Sequence, residues 1–183
     1  RRLIFALDAP TVRDASALVA ALGGAVSFYK IGLELWAAGG SELAVRLAWL
    51  GQDVFVDLKL HDIPETVART TSILADMGAR FTTLHGPPRA IEAAAKVKGD
   101  TKLLGVTVLT SMDLAEWRAA WGFGDGRSME EVVRERARVL LESGCDGLVC
   151  SPLEVAALRA AHPRALLVTP GVRPAGAAQG DQK

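Results

Sequence analysis

The sequence predicts an α/β protein with a parallel sheet, built as a (β/α)₈ TIM-type barrel whose eighth βα unit is absent from the chain as given. Three observations lead there. Short β-rich runs alternate seven times with helical segments, with no long polar linker between them. Polar residues gather at or just after the ends of those runs: Asp8, Lys30, Asp57 with Lys59, His85, Thr110, Ser151 and Arg173. A barrel collects all its strand ends around one site, whereas an open doubly wound sheet uses mainly those at its switch point. Finally, no Gly-x-Gly-x-x-Gly follows the first run, which weakens the dinucleotide-binding version of the open sheet.

Each element has its own signal. Leu3–Asp8 is the first strand, and Thr11–Leu22 an Ala-rich helix with Thr11 as N-cap. Val26–Ile31 is the second strand, followed by an amphipathic stretch around Ser41–Leu50. Asp53–Leu60 alternates as a third strand and leads to a helix over Glu65–Met77. Phe81–His85 precedes a helix near Arg89–Lys98. Lys102–Thr110 precedes a longer excursion through Trp121-Gly-Phe-Gly-Asp-Gly, then a helix over Ser128–Ser143. Gly147–Cys150 leads to a helix at Pro152–Ala161, and Ala165–Thr169 to a tail rich in Gly, Pro and Ala. The chain opens at Arg1 and closes at Gly180-Asp-Gln-Lys183 without an eighth strand and helix. We therefore expect one barrel domain over residues 1–183, incomplete at its C-terminus.

Composition narrows the function. Of 183 residues, Lys plus Arg and Asp plus Glu number 21 each, so no basic footprint for nucleic acid or an anionic membrane is present. No run of about 18 apolar residues exists and the N-terminus lacks a signal-peptide pattern. Cys145 and Cys150 form neither a CxxC nor a disulfide framework and read as reduced, small core residues. The expectation is a soluble, cytoplasmic protein with no nucleic-acid or membrane partner.

The chemistry concentrates on the third strand. Side chains alternate faces with period two, so Val54, Val56, Leu58 and Leu60 share one face while Phe55, Asp57 and Lys59 share the other. Asp62 follows three residues after Lys59. Carboxylate, ammonium and carboxylate within six residues form a candidate catalytic array, although an Asp–Lys pair at a strand end is also a common solvated pair worth under about 1 kcal/mol. His61 alternates away from Lys59 and reads as a structural hydrogen-bonder. His85 stands at a strand end with no assigned role, and His162 reads as surface. Trp36, Trp49, Trp117 and Trp121 read as packing or interface residues.

The stretch Asp57-Leu-Lys-Leu-His-Asp-Ile-Pro-Glu-Thr66 resembles the signature of the orotidine 5′-phosphate decarboxylases. Further landmarks agree in order: Ala-Leu-Asp8, Tyr-Lys30-Ile-Gly, Val-Thr-Val-Leu-Thr110-Ser, Thr-Pro-Gly-Val-Arg173-Pro and Gly-Asp-Gln182. The resemblance implies decarboxylation of orotidine 5′-monophosphate without metal or organic cofactor, in uridine monophosphate biosynthesis. It implies an alternating network of Lys30, Asp57, Lys59 and Asp62. Lys59 would donate the proton to C6 and Asp57 would lie beside the departing carboxylate. Lys30 would orient Asp57 and contact the ribose. It further implies a homodimer in which Asp62 and Thr66 reach the neighbouring subunit's site.

Substrate contacts implied in the same way fall on Asp8 and Lys30 and on the signature itself: Asp57, Leu58, Lys59, Leu60, His61, Asp62, Ile63, Pro64, Glu65 and Thr66. Thr110 would meet the pyrimidine, with Ser111 as its alternative or as a helix cap. Arg173 and Gln182 would lie near the phosphate, with Pro174–Asp181 between them as a lid or an ordinary loop. The family continues into an eighth strand with a phosphate-binding Gly-Arg pair that these residues do not include. The chemistry suits the array, because loss of CO₂ leaves negative charge on C6 that a fixed cation stabilises and can protonate. At about 4 Å and an effective dielectric near 20, each opposite-charge pair is worth about 4 kcal/mol before desolvation.

Two alternatives stand beside this reading. One is a metal-dependent sugar-phosphate aldolase or decarboxylase of the same superfamily, similar to hexulose phosphate synthases, with added carboxylates binding Mg²⁺. Against it, Lys30 rather than a carboxylate ends the second strand, Glu34 lies one helical turn on, and Ile-Pro follows Asp62. The other is an inactive fragment or binding protein.

Overall fold

The computed structural model describes residues 3–121 and 126–171. The chain divides into two compact units, Arg1–Leu103 and Leu104–Lys183. Arg173, Gln182 and the lid segment Pro174–Asp181 lie outside the described residues.

In the first unit, β1 (Phe5–Ala6), β2 (Phe28–Gly32), β3 (Asp53–Leu60) and β4 (Phe81–Leu84) lie side by side in chain order. All three pairings are parallel, with Ala6 opposite Lys30, Gly32 opposite Asp57 and Phe55 opposite Phe81. Parallel neighbours need a crossover between them. Those crossovers are α1 (Val12–Leu22), a short turn α2 (Leu33–Leu35) leading through a wide π-type turn at Trp36–Gly40 into α3 (Ser41–Trp49), and α4 (Pro64–Asp76). Strand neighbours that follow chain order are those of a barrel wall, not of a doubly wound sheet with its reversal.

The sequence pattern explains which face each element buries. Val54 and Val56 of β3 join Leu7, Ile31, Ala15 of α1, Leu43 and Leu47 of α3 and Leu74 of α4 in one apolar cluster, each at most 2 % exposed. Fully burying such a side chain stabilises by about 1.5–3 kcal/mol. The opposite face carries Phe28, Phe55 and Phe81, whose rings meet at 5.0 and 5.9 Å. Farther along the same strands that face changes from aromatic to charged, at Lys30 and Asp57.

The second unit repeats the arrangement. β5 (Lys102–Val106, from Leu104 on), β6 (Gly147–Val149) and β7 (Leu166–Val168) pair in parallel, with Val106 opposite Val149 and Val149 opposite Val168. A Cβ on Gly147 would stand 2.2 Å from the Leu166 carbonyl oxygen, so the approach of β6 to β7 requires glycine there. Its helices are α6 (Leu114–Trp121), α7 (Met129–Glu142) and α8 (Val155–Ala161), and α5 (Pro88–Ala95) belongs to the first unit.

Sequence and structure part in a few places. β1 spans only Phe5–Ala6, β2 starts at Phe28 and runs on to Gly32, β5 ends at Val106, and α5 ends at Ala95. The excursion before Ser128 contains α6, whose start is capped by Asp113: its Oδ1 accepts from Ala115 and Glu116 N–H at 2.9 and 3.0 Å. Trp49 is 89 % exposed and does no packing in this chain, whereas Trp117 is 1 % exposed. Cys145 and Cys150 are buried and not joined in a disulfide, and burial pushes the Cys150 thiol up to about 11.

Candidate active site

Three strand ends of the first unit build the site. Leu7 N–H donates to the Lys30 carbonyl at 2.9 Å, prolonging the β1–β2 ladder and placing Asp8 immediately beyond it. Lys30 lies near the end of β2, two residues before Gly32, which faces Asp57 across the β2–β3 register. A Cβ on Gly32 would lie 3.5 Å from Lys30 Nζ and 4.0 Å from Asp8 Oδ1, so glycine leaves the space between the charges clear.

The charges form a chain of four groups. Lys30 Nζ lies 3.4 Å from Asp8 Oδ1 and 3.6 Å from Asp57 Oδ2, and Lys59 Nζ donates to Asp57 Oδ1 at 3.0 Å. Asp57 therefore bridges two ammonium groups, one on each carboxylate oxygen. Its side chain is 15 % exposed against 39 % for Lys59, so the carboxylate is enclosed and the second ammonium faces outward. A cavity of ≈ 290 Å³ opens on these groups, lined by Asp8, Lys30, Gly32, Asp57, Leu58 and Lys59 together with Leu7 and Leu33–Leu35.

β3 changes its geometry where the chemistry begins. Lys59 has φ 50°, the left-handed region that costs a non-glycine residue about 1–2 kcal/mol. The pairing with β4 shifts between Val56 and Leu60 and resumes where His85 N–H donates to the Leu60 carbonyl at 3.0 Å. The expected faces hold through this irregularity: Leu58 and Leu60 pack against the apolar cluster of Val54 and Val56, while Lys59 reaches Asp57. Thr83, fully buried on β4, fills the gap in the ladder. Its Oγ1 accepts from the Lys59 main-chain N–H at 2.8 Å and donates to Asp57 Oδ1 at 2.9 Å. Sequence reasoning missed Thr83; the one available signal was a Thr-Thr pair inside an otherwise apolar strand.

The remaining candidates separate into groups. Asp8, Lys30, Asp57, Leu58 and Lys59 come together at the cavity. Leu60 packs half-buried against the apolar cluster instead. His61, Asp62, Ile63, Pro64, Glu65 and Thr66 form an exposed stretch at the start of α4. There Asp62 Oδ1 accepts from Ile63 N–H at 2.6 Å, Glu65 pairs with Arg69 at 2.7 Å, and the His61 ring stands edge-on to His85 at 6.1 Å. Asp62 is not among the four groups joined in this chain, and Asp8 takes the end of the array opposite Lys59. Thr110 is half-buried in the second unit, within the turn closed by Met112 N–H on the Leu109 carbonyl at 2.8 Å. Among the described residues no three His, Cys, Asp or Glu side chains cluster so as to hold a metal ion.

Comparison with known proteins decides the family. The model of the Orotidine 5′-phosphate decarboxylase / HUMPS family matches residues 1–183. The chain belongs to that family. Among curated family members, the orotidine 5′-phosphate decarboxylase of Rhodopseudomonas palustris (strain BisB5) is 52 % identical over 186 residues, covering 100 % of this chain and 77 % of that protein. That of Bradyrhizobium sp. (strain ORS 278) is 50 % identical, again over 100 % of this chain and 75 % of the relative. Among solved structures, orotidine 5′-phosphate decarboxylase from Lactobacillus acidophilus superposes with a TM-score of 0.84 at 35 % identity, covering 96 % of this chain and 83 % of the other. An uncharacterized conserved protein from Geobacillus kaustophilus follows at 0.81 and 34 %, over 91 % and 82 %.

Proposed function

We propose that Lys59 is the proton donor with which this chain decarboxylates its substrate. The chain is a carboxy-lyase that converts orotidine 5′-monophosphate to uridine 5′-monophosphate and CO₂ in pyrimidine biosynthesis. The observation that carries the mechanistic reading is the Asp57 carboxylate bridging the Lys30 and Lys59 ammonium groups at the cavity, within a family whose close curated relatives bear that enzyme's name.

In the proposed step the bond between C6 and the carboxylate carbon breaks and the electron pair stays on C6. CO₂ departs, and a proton from Lys59 Nζ forms the new C6–H bond; solvent then reprotonates the amine. A cation already fixed where charge develops needs no reorganisation at the moment of reaction, which is where such sites lower the barrier most. Asp57 faces the departing carboxylate and holds both lysines. Lys30 orients Asp57 and contacts the ribose, and Asp8 accepts from the ribose hydroxyls.

The wider assignments belong to the same proposal. Thr110 contacts the pyrimidine, and Arg173 and Gln182 the phosphate. The whole chain forms part of a single (β/α)₈ barrel domain of a cytoplasmic homodimer. Asp62 and Thr66 serve the partner's site, which agrees with their exposure at the start of α4. Among the described residues no helix is long and apolar enough to cross a membrane.

The test is the ultraviolet absorbance of orotidine monophosphate with purified protein, with and without EDTA. Conversion indifferent to chelator is expected, and conversion abolished by chelator would sink the cofactor-free mechanism. Mixing Lys59→Ala and Asp62→Ala subunits tests the shared site. One of the two sites in each mixed dimer is then intact, so about a quarter of wild-type activity returns. No recovery on mixing rejects the contribution of Asp62 across subunits.

A further inference from the structure

We infer that Thr83 is a positioning residue for the reaction: its hydroxyl sets the left-handed turn at Lys59 and the rotation of the Asp57 carboxylate with a single atom. This rests on the decarboxylase reading above and adds to it a residue outside the charged array.

A hydroxyl offers one donor and two acceptor lone pairs. At Thr83 the donor goes to Asp57 Oδ1 at 2.9 Å, and the oxygen receives the Lys59 main-chain N–H at 2.8 Å. The same carboxylate oxygen receives Lys59 Nζ at 3.0 Å. Backbone and side chain of Lys59 are thus tied to one short loop of contacts: amide to hydroxyl, hydroxyl to carboxylate, carboxylate to ammonium. The amide needs this partner because the pairing of β3 with β4 shifts between Val56 and Leu60. An amide buried there without an acceptor would bear a desolvation penalty.

The φ of 50° at Lys59 gives the contact its purpose. A lysine adopts that conformation only when the surroundings over-determine it, and residues so held concentrate at functional sites. Without the hydroxyl, the Lys59 amide and the Asp57 carboxylate lose the atom that ties them together. The turn at Lys59 and the rotation of the carboxylate are then free to vary, and the Lys59 ammonium loses its fixed bearing on the cavity. Thr83 does not itself line the cavity and is 0 % exposed, so its influence on a substrate passes through Asp57 and Lys59, which do.

Three variants separate the hydroxyl from the packing. Thr83→Val keeps the shape and removes the hydroxyl, Thr83→Ser keeps the hydroxyl and removes a methyl, and Thr83→Ala removes both. Thr83→Val is expected to lower kcat about 10- to 100-fold, the kinetic equivalent of one hydrogen bond to a charged group. KM should move less than about threefold, because the loss falls on groups acting at the reacting centre. Thr83→Ser should stay within about threefold of wild type, and Thr83→Ala should fall with Val. A packing role gives the reverse order, with Val active and Ser impaired, and overturns the inference.

If Thr83→Val does not fold, Ser against Ala decides, and equal kcat in those two overturns it. Amide hydrogen exchange at Lys59 gives a readout independent of turnover. It should accelerate at least about tenfold in Thr83→Ala and not in Thr83→Ser; equal exchange in both rejects the role. A wild-type protein that turned over no orotidine monophosphate would defeat the decarboxylase reading, while the exchange result would still judge Thr83.

Discussion

Two strand ends in this chain leave their regular ladders, and side chains hold them in opposite ways. At Asp57–Lys59 in the first unit an orphaned N–H finds the Thr83 hydroxyl, and the neighbouring charges face a cavity. At Val106–Thr107 in the second unit, at the end of β5, the groups met by a side chain are carbonyls. Arg136 of α7 donates to them, Nε to Thr107 at 3.1 Å and Nη2 to Val106 at 3.3 Å. Its guanidinium lies over Trp117 and Trp121 at 5.4 and 5.6 Å from the ring centroids, with the two indoles stacked at 5.3 Å. Burial pushes that guanidinium down from its ordinary value. One cation is thus covered and tied to main chain, while the other is 39 % exposed and tied to a carboxylate. Half-solvated ion pairs contribute little to stability. Stability therefore has little to gain from the Lys59 end of the array, whose proposed role is toward a ligand, whereas the contacts of Arg136 lie within the fold.

The sharpest way to break this contrast is at Lys59. Lys59→Ala should lower kcat by about 10³-fold or more, combining loss of the proton donor and of the fixed cation. Its thermal midpoint should stay within about 3 °C of wild type, since Lys59 is the solvated end of the lost pair and Asp57 keeps Lys30 as a partner. Lys59→Gly should be equally inactive yet about 1 kcal/mol more stable than Lys59→Ala, because glycine adopts φ 50° without strain. Steady-state kinetics and urea melts check both, and an active Lys59→Ala would remove the basis of the comparison.

Arg136 should show the reverse profile. Arg136→Leu removes a donor from each of two main-chain carbonyls and loses the contact with two indoles, a destabilisation of about 2–4 kcal/mol. Arg136→Lys should recover less than half, because one ammonium cannot reach both carbonyls while lying flat on a ring. A urea-melt difference under about 0.5 kcal/mol for Arg136→Leu would show that the covered cation is as dispensable to stability as an exposed pair.

Much of this contrast was legible in the residues, and the illegible part has a common cause. The bounds of β3 follow from its alternation, and Asp8, Lys30, Asp57 and Lys59 follow from their place at strand ends. Thr11 reads as a cap because a short hydroxyl before a periodic apolar run has few other uses. Helix α6 escaped notice although Asp113 and Glu116 carry a capping pattern, since eight residues with two tryptophans and scattered charge show little periodicity. The φ of Lys59 and the service of Thr83 were beyond reach for a different reason. Both arise from a mismatch in pairing between two strands, and neither strand records that mismatch alone. Asp62 lay inside the most informative stretch and stands on the exposed start of α4, apart from the array of its own chain, as a residue proposed to serve a partner's site would.

The smallest predicted effect probes how the second unit anchors the helix that carries Arg136. Ser128 caps α7 in a reciprocal box: its Oγ accepts from Glu131 N–H at 3.3 Å, while Glu131 Oε2 accepts from Ser128 N–H at 2.7 Å. The start of α4 has Ile63 as its N-cap, no side-chain cap, and Pro64 in the first turn. Ser128→Ala should cost about 1 kcal/mol at pH 7. The Ser128 main-chain N–H, followed by its hydroxyl, holds the Glu131 carboxyl below its ordinary value of 4.5. As pH falls, the unfolded chain takes up this proton first, so the stability Glu131 contributes is whole above pH 4.5 and lost as pH drops through its lowered folded value. Glu131→Gln should therefore lose less stability than wild type on going from pH 5 to pH 3, measured by urea midpoints. Parallel losses in the two proteins would mean that the box is held by the serine alone and that the carboxylate adds only geometry.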